Sequence, residues 1–166
     1  FLNLPGFDSL KGVYHAKDLV YFYNQLPPFS EWPYPIGEKV VLIGAGNVML
    51  DIAHWAVRDL KRKQVTAVVR RGPAEVKFSR KEWKICGGNL DNEAFEAEFQ
   101  RVSPAMEMVG QDLDAAKDFI LQGQEKCIEP VSDTKFEFRF LSSPAGFVSD
   151  EEGNVTGLEV DETTLE

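Results

Sequence analysis

Val40-Val41-Leu42-Ile43 runs straight into Gly44-Ala45-Gly46-Asn47-Val48-Met49-Leu50-Asp51, and a second apolar run, Val65 to Val69, ends at Arg70-Arg71-Gly72-Pro73. Each residue type in this series has a definable chemistry. Gly44 permits a tight turn out of a strand, and Gly46 lets the backbone approach a diphosphate with no Cβ in the way. The first amides of a helix that starts near Asn47 have no intrahelical acceptors and point at an anion, aided by the helix dipole. Asn47 either adds a side-chain donor or caps that helix. An acid at the end of the second strand would hydrogen-bond the ribose 2′-hydroxyl of NAD, whereas arginine accommodates the 2′-phosphate of NADP. Gly44, Ala45, Gly46, Asn47 and Val48 are therefore the candidate pyrophosphate residues, and Arg70 with Arg71 reads as selection for NADP(H). The plain alternative is a strand-to-helix turn that holds no ligand. Met49 departs from the pattern, because a small third residue would let helix and strand pack closely. Asp51 is expected to stabilise the positive end of the helix.

Such a site needs a strand–turn–helix–strand frame, and the chain supplies one. Residues 39–43 read as a strand, 47–61 as a helix, and 65–69 as a second strand parallel to the first. A short helix over 79–84 begins at Ser79, a suitable N-cap. Upstream, Gly12-Val13-Tyr14 reads as a short strand, and His15 to Leu26 as a helix with Ala16, Leu19, Val20 and Tyr23 on one side. Pro27, Pro28, Pro33 and Pro35 then mark a stiff connector over the surface, since proline lacks the amide donor. Downstream, Asp91 can cap a helix over 92–101 that aligns Phe95, Phe99 and Val102. A further helix over 112–123 carries Leu113, Ala116, Phe119 and Ile120 inward. Phe136, Phe138 and Phe140 alternate with Glu137 and Arg139, the mark of a half-buried strand. Residues 146–149 and 155–160 form a hairpin across Asp150–Asn154. The predicted fold class is α/β: a Rossmann-like three-layer nucleotide-binding domain closed by a C-terminal antiparallel β-meander. One domain is expected over 1–166, with a lead-in segment and Pro-rich connector to residue 38 and the core plus meander over 39–166.

The chain has 166 residues, enough for one domain with a real core. Its net charge of −9 is unevenly spread: residues 61–84 hold nine Lys or Arg against two acids, a local balance of +7, which leaves −16 elsewhere. An acidic body repels nucleic acid and anionic membranes, while one basic region suits a small phosphorylated ligand. Lys61-Arg62-Lys63 reads as a solvated helix C-terminus, where cations complement the dipole; Arg70 and Arg71, beyond a strand end, need another reason. Cys86 and Cys127 share no metal-ligand spacing with each other or with His15 and His54, so no metal site is expected and both read as ordinary thiols. No stretch is long and apolar enough to span a membrane, and no signal-peptide pattern opens the chain. A cytoplasmic location is expected on these grounds. The first residue, Phe1, suggests a piece of a longer protein.

With these motifs in view, the chain resembles the NADP(H)-binding domain of the glutamate synthase small-chain and adrenodoxin reductase-like flavoproteins. Leu4-Pro5-Gly6, Gly12-Val13-Tyr14-His15-Ala16-Lys17-Asp18 and Tyr23-Asn24 are similar to the way that family enters the domain. Gly44-Ala45-Gly46-Asn47-Val48 with Asp51 resembles its pyrophosphate turn. Arg70-Arg71-Gly72-Pro73, Phe78 and Lys81-Glu82 resemble its 2′-phosphate site. Phe140-Leu141-Ser142-Ser143-Pro144 and Gly153-Asn154-Val155-Thr156-Gly157 are similar to the strands leading back out. Met49 stands where the family has a small residue and His54 where it usually has Arg. The resemblance implies that Arg70 and Arg71 clasp the 2′-phosphate and that Glu82 touches the adenosine end. It also implies that the parent protein inserts this domain into an FAD-binding domain. This chain has a single Gly-x-Gly turn, so FAD is expected outside it, and no catalytic residue is expected within it.

The reading that follows is a nucleotide-binding domain of a flavin-dependent oxidoreductase, inactive by itself. Its partners would be the FAD-binding domain of the same parent chain and an iron–sulfur protein or a glutamate synthase large subunit. The alternative is a non-catalytic Rossmann-like interaction module with a decayed nucleotide site. A methyltransferase-like domain would need an acid near the end of the second strand, where Arg70-Arg71 stands.

Overall fold

The computed structural model describes residues 2–165. In chain order the elements are α1 (Ala16–Tyr23), β1 (Lys39–Ile43), α2 (Asn47–His54), β2 (Gln64–Val68), α3 (Arg80–Cys86), α4 (Asn92–Met108), α5 (Leu113–Glu125), β3 (Lys135–Arg139), β4 (Ser142–Ser149) and β5 (Val155–Glu162). They gather into two compact units. The larger comprises Glu38–Ser143 and the tail from Glu162; the smaller comprises the chain up to Gly37 and Pro144–Asp161.

The larger unit is built on a parallel sheet of order β1-β2-β3, with Lys39 opposite Gln64 and Gln64 opposite Lys135. The α/β class expected from the sequence is the one observed: a parallel three-stranded sheet and an antiparallel hairpin of β4 and β5. One assignment within it changes. The 136–140 strand, expected to open an antiparallel meander, is the third parallel strand, and β4 pairs only with β5 among the described residues. Alternation of Phe136, Phe138 and Phe140 reports which face is buried; it is commoner in antiparallel sheets, but an edge strand of a parallel sheet with one covered face, as β3 is, shows it too. Pairing is decided on the other face, where Glu137 accepts hydrogen bonds from Gln64 Nε2 (2.6 Å) and Thr66 Oγ1 (2.9 Å) on β2.

Local chemistry explains the helix boundaries. Ser79 Oγ accepts from Glu82 N, Asp91 Oδ1 from Ala94 N and Asp112 Oδ1 from Ala115 N, so α3, α4 and α5 each start on a side-chain cap. Helix α4 runs through Pro104 to Met108, beyond the end expected at residue 101. Val102 and Met106 are fully buried, and that apolar face outweighs the hydrogen bond that proline forfeits. Helix α2 gives way at Trp55–Asp59 to one π turn, in which Leu60 N donates to Trp55 O. Lys61 follows at φ 51°, so Lys61-Arg62-Lys63 lies past the helix and not in its last turn. Asp51 likewise falls one turn inside α2, past the positive end that it was expected to serve.

The core is an aromatic stack. Trp83 lies 5.4 Å from Phe78, 5.7 Å from Phe136 and 5.6 Å from Phe138 between ring centres, and its indole N–H donates to Ile120 O at 2.9 Å. Each such ring pair adds roughly 0.5–1.5 kcal/mol beyond the area it buries. Gly123 on α5 makes room for it: a Cβ there would stand 2.5 Å from Trp83 Cδ1. Gly123→Ala is therefore expected to cost about 1–3 kcal/mol through overpacking, despite the better helix propensity of alanine. Urea unfolding of the variant checks this, and an unchanged or raised midpoint would contradict it.

In the smaller unit, Tyr14, Phe22 and Tyr34 form one ring cluster and Tyr21, Phe29 and Trp32 another, packing the Pro-rich segment with α1. Tyr14 donates to Pro35 O at 2.7 Å. Helix α1 ends at Tyr23, short of the expected Leu26, because Gln25 turns left-handed at φ 59°. Gly12-Val13-Tyr14 is not a strand. Gly12 turns at φ 91°, and the bridge next to it joins Lys11 to Asn154.

Candidate functional site

β1 delivers the chain to the glycine turn. Gly44 leaves the strand at φ 125°, a conformation that favours glycine, and its amide donates to Val68 O of β2 at 2.9 Å. Gly46 is different. It stands at φ −105° and ψ 178°, extended backbone open to any residue, and a Cβ there would meet nothing within 4 Å. Nothing inside the described protein requires glycine at that point. What glycine does there is keep the space in front of α2 clear.

α2 itself begins without a side-chain cap, unlike the three later helices of the same unit. Its first internal bond is Leu50 N to Gly46 O, which leaves the amides of residues 47–49 without intrahelical acceptors. An anion at the turn would satisfy them and meet the positive end of the helix dipole. The turn is braced from the side: Lys77 N donates to Ala45 O at 3.0 Å, and Ser79 N donates to Asn47 Oδ1 at 2.9 Å. Of the two roles read for Asn47, capping falls away. Its carbonyl oxygen ties the 77–79 loop to the helix start.

Arg70 and Arg71 follow β2 directly, and the chain beyond β3 fixes their backbone. Val69 N donates to Arg139 O, Ser142 N to Val69 O and Leu141 N to Arg71 O. From the tail, Thr163 Oγ1 donates to Arg70 O. Both arginine side chains are exposed. Arg71 Nη1 stands 3.8 Å from Glu75 Oε1, a loose ion pair, while the Arg70 guanidinium has no partner among the described residues.

Turn and arginines meet in one open cleft of about 290 Å³ lined by Gly44, Ala45, Gly46, Val69, Arg70, Arg71, Glu75 and Lys77, all within the larger unit. Three cations face one carboxylate there. What the lining side chains offer an anionic ligand is charge and hydrogen-bond donors. Asn47 and Val48 are exposed at the start of α2, outside the lining set; Glu82 is half-buried in the first turn of α3, also outside it. Three lining residues had escaped the sequence reading, of which Val69 is simply the last residue of the second apolar run. Lys77 belongs to the basic 61–84 stretch, which could have flagged it. Glu75 carries no local signal.

Met49, the departure from the expected small residue, is 6% exposed and packs into the core away from the cleft. That removes the main motive for reading the site as decayed. Trp83 is core, whereas Trp32 is 49% exposed. Cys86 and Cys127 are both free thiols; burial pushes Cys86 up to about 12 and raises Cys127 as well. Among the described residues no group of three His, Cys, Asp or Glu could hold a metal, and no helix is long and apolar enough to cross a membrane.

A glycine turn and a basic pair at the C-terminal ends of adjacent parallel strands define a Rossmann-like α/β domain. No family model matches the chain. It is 26% identical to the mitochondrial NADPH:adrenodoxin oxidoreductase of Arabidopsis thaliana, over 99% of this chain and 40% of that protein. It is 29% identical to the NADPH-ferredoxin reductase FprA of Mycobacterium leprae, over 86% of this chain and 36% of that protein. In fold it is similar to Mycobacterium tuberculosis FprA in complex with NADPH, with a TM-score of 0.61, 24% identity, and coverage of 99% of this chain and 46% of that one. The chain is thus related, at low identity and along its length, to adrenodoxin reductase-like oxidoreductases, and it spans less than half the length of these relatives. Both named relatives lie on the adrenodoxin reductase side of the resemblance read from the motifs.

Proposed function

We propose that this chain is the NADP(H)-binding domain of a flavin-dependent oxidoreductase, presenting the nicotinamide for hydride exchange with an FAD held outside these residues. Gly46 carries the reading: a glycine that neither its backbone angles nor its neighbours demand, in front of a helix start with no side-chain cap. In this reading the backbone of Gly44, Ala45 and Gly46 and the first amides of α2, at Asn47 and Val48, receive the pyrophosphate. Arg70 and Arg71 take the 2′-phosphate, and Glu82 contacts the adenosine end. The relatives named NADPH reductases for adrenodoxin and ferredoxin support this cofactor. They also favour an iron–sulfur protein as the redox partner, ahead of a glutamate synthase large subunit. The FAD-binding domain of the same parent chain would supply the flavin; the isolated domain would be inactive and cytoplasmic.

Gly46→Ala separates binding from folding. Alanine is a poorer N-cap than glycine, so stability should fall by no more than about 1 kcal/mol. The new methyl group would stand where the diphosphate must approach, and NADPH affinity should fall at least about tenfold. Thermal unfolding and calorimetry read the two effects. For the parent sequence, NADPH at a hundred times its Kd should add about 2.7 kcal/mol of stability. Unchanged affinity in Gly46→Ala, or no thermal stabilisation by millimolar NADPH, would defeat the proposal and favour the docking-module reading.

A further inference from the structure

Glu75 is the one acid among the residues lining the cleft, and it is fixed there by its own turn. Gly72 N donates to Glu75 Oε2 at 3.2 Å, and Glu75 N donates to Gly72 O at 3.1 Å. The other carboxylate oxygen stands 3.8 Å from Arg71 Nη1, too far for a hydrogen bond and close enough for charge to act. Glu75 is the less exposed of the two side chains, at 29% against 60% for Arg71. The arrangement is therefore asymmetric. Arg71 can turn toward an arriving anion, but the carboxylate is held by the backbone and stays.

We infer that Glu75 is a specificity-determining residue of this cleft, a fixed carboxylate that weakens binding of a 2′-phosphorylated adenine nucleotide relative to one with a free 2′-hydroxyl. The inference rests on the nucleotide reading above and extends it. A 2′-phosphate held by Arg71 would lie within a few ångströms of a like charge that cannot withdraw. A ribose 2′-hydroxyl in the same place would find an acceptor. Arginines and acid thus pull in opposite directions, and the cleft discriminates between NADP(H) and NAD(H) less sharply than the arginine pair alone would.

The test is calorimetric titration of the protein, Glu75→Gln and Glu75→Ala with NADP⁺ and with NAD⁺, at 0.1 M and 1 M NaCl. Gln keeps an acceptor for Gly72 N and removes the charge; Ala removes both. The NADP⁺ dissociation constant should fall roughly three- to tenfold in Glu75→Gln, with NAD⁺ binding unchanged or weaker. The gain should shrink at 1 M salt, where the screening length is about 3 Å. Glu75→Ala should also raise the NADP⁺ to NAD⁺ preference. A preference unchanged or lowered in Glu75→Gln, or lowered in Glu75→Ala with Gln neutral, would make Glu75 a brace of the turn and overturn the inference while leaving the nucleotide reading intact. If the unsubstituted protein binds neither nucleotide, the nucleotide reading fails and this inference with it.

Discussion

Replacing Arg70 and Arg71 together with alanine should lower NADPH affinity on the order of a hundredfold or more and leave NADH binding little changed. Each charge-assisted hydrogen bond to a phosphate contributes roughly 1.5–3 kcal/mol, and about 1.4 kcal/mol is a factor of ten. The two guanidinium groups enter the cleft unequally. Arg70 is free among the described residues, whereas Arg71 begins in a loose pair with Glu75. Arg70→Ala alone should therefore lose more than Arg71→Ala, because part of what Arg71 offers the phosphate is already spent on Glu75. The double change should leave the fold intact, since both side chains are exposed and the local bonds to the rest of the unit run through the backbones of Val69, Arg70 and Arg71. Calorimetry with both nucleotides decides the matter. Equal losses for NADPH and NADH would show that the pair does not read the 2′-phosphate.

Glu98→Ala should strongly destabilise the fold, costing about 3–5 kcal/mol. The Glu98 side chain is 8% exposed and accepts from Arg101 Nη2 at 2.6 Å, Arg101 Nε at 2.9 Å and the Phe140 amide at 2.7 Å. Arg139 Nη1 stands 3.5 Å away, and Arg101 also donates to Phe140 O (2.6 Å) and Glu162 (2.7 Å). The hydrogen bond to Glu98 is the main reason that Arg101 holds its proton more tightly than usual. Alanine would strand a buried amide and a part-buried guanidinium at once. For a chain of this size the loss should lower the melting temperature by about 6–20 °C. Glu98→Gln, which can still accept from Phe140 N, should lose less. A melting temperature within a degree or two for Glu98→Ala would show that the network contributes little. Phe140 sits between Arg139, whose carbonyl takes the Val69 amide, and Leu141, whose amide reaches Arg71 O. This buried cluster is thus the footing of the loop that carries the arginines.

The glycine turn, the strands flanking it, the caps at Ser79 and Asp91, and the buried face of β3 were all legible in the residues. Each depends on bonds or side-chain alternation within a few positions, and such short-range preferences survive whatever the rest of the chain does. The direction of β3 was misread, because period-two alternation favours an antiparallel strand and yet also marks an edge strand of a parallel sheet with one covered face. The extension of α4 past Pro104 was not legible: the burial that outweighs the lost hydrogen bond comes from elements distant in sequence.

The same division runs through the site. Sequence by itself determined that a glycine turn would open α2 and that two guanidinium groups would stand at the end of the adjacent strand. Only the tertiary structure decided that Met49 turns into the core, that Lys77 and Glu75 join the arginines, and that Glu98 anchors the segment behind them. It also decided that residues 144–161 gather into one unit with the segment that ends at Gly37. A backbone turn is specified by the few residues that make it, whereas the charge balance of a cleft is specified by whichever distant side chains packing brings to its walls.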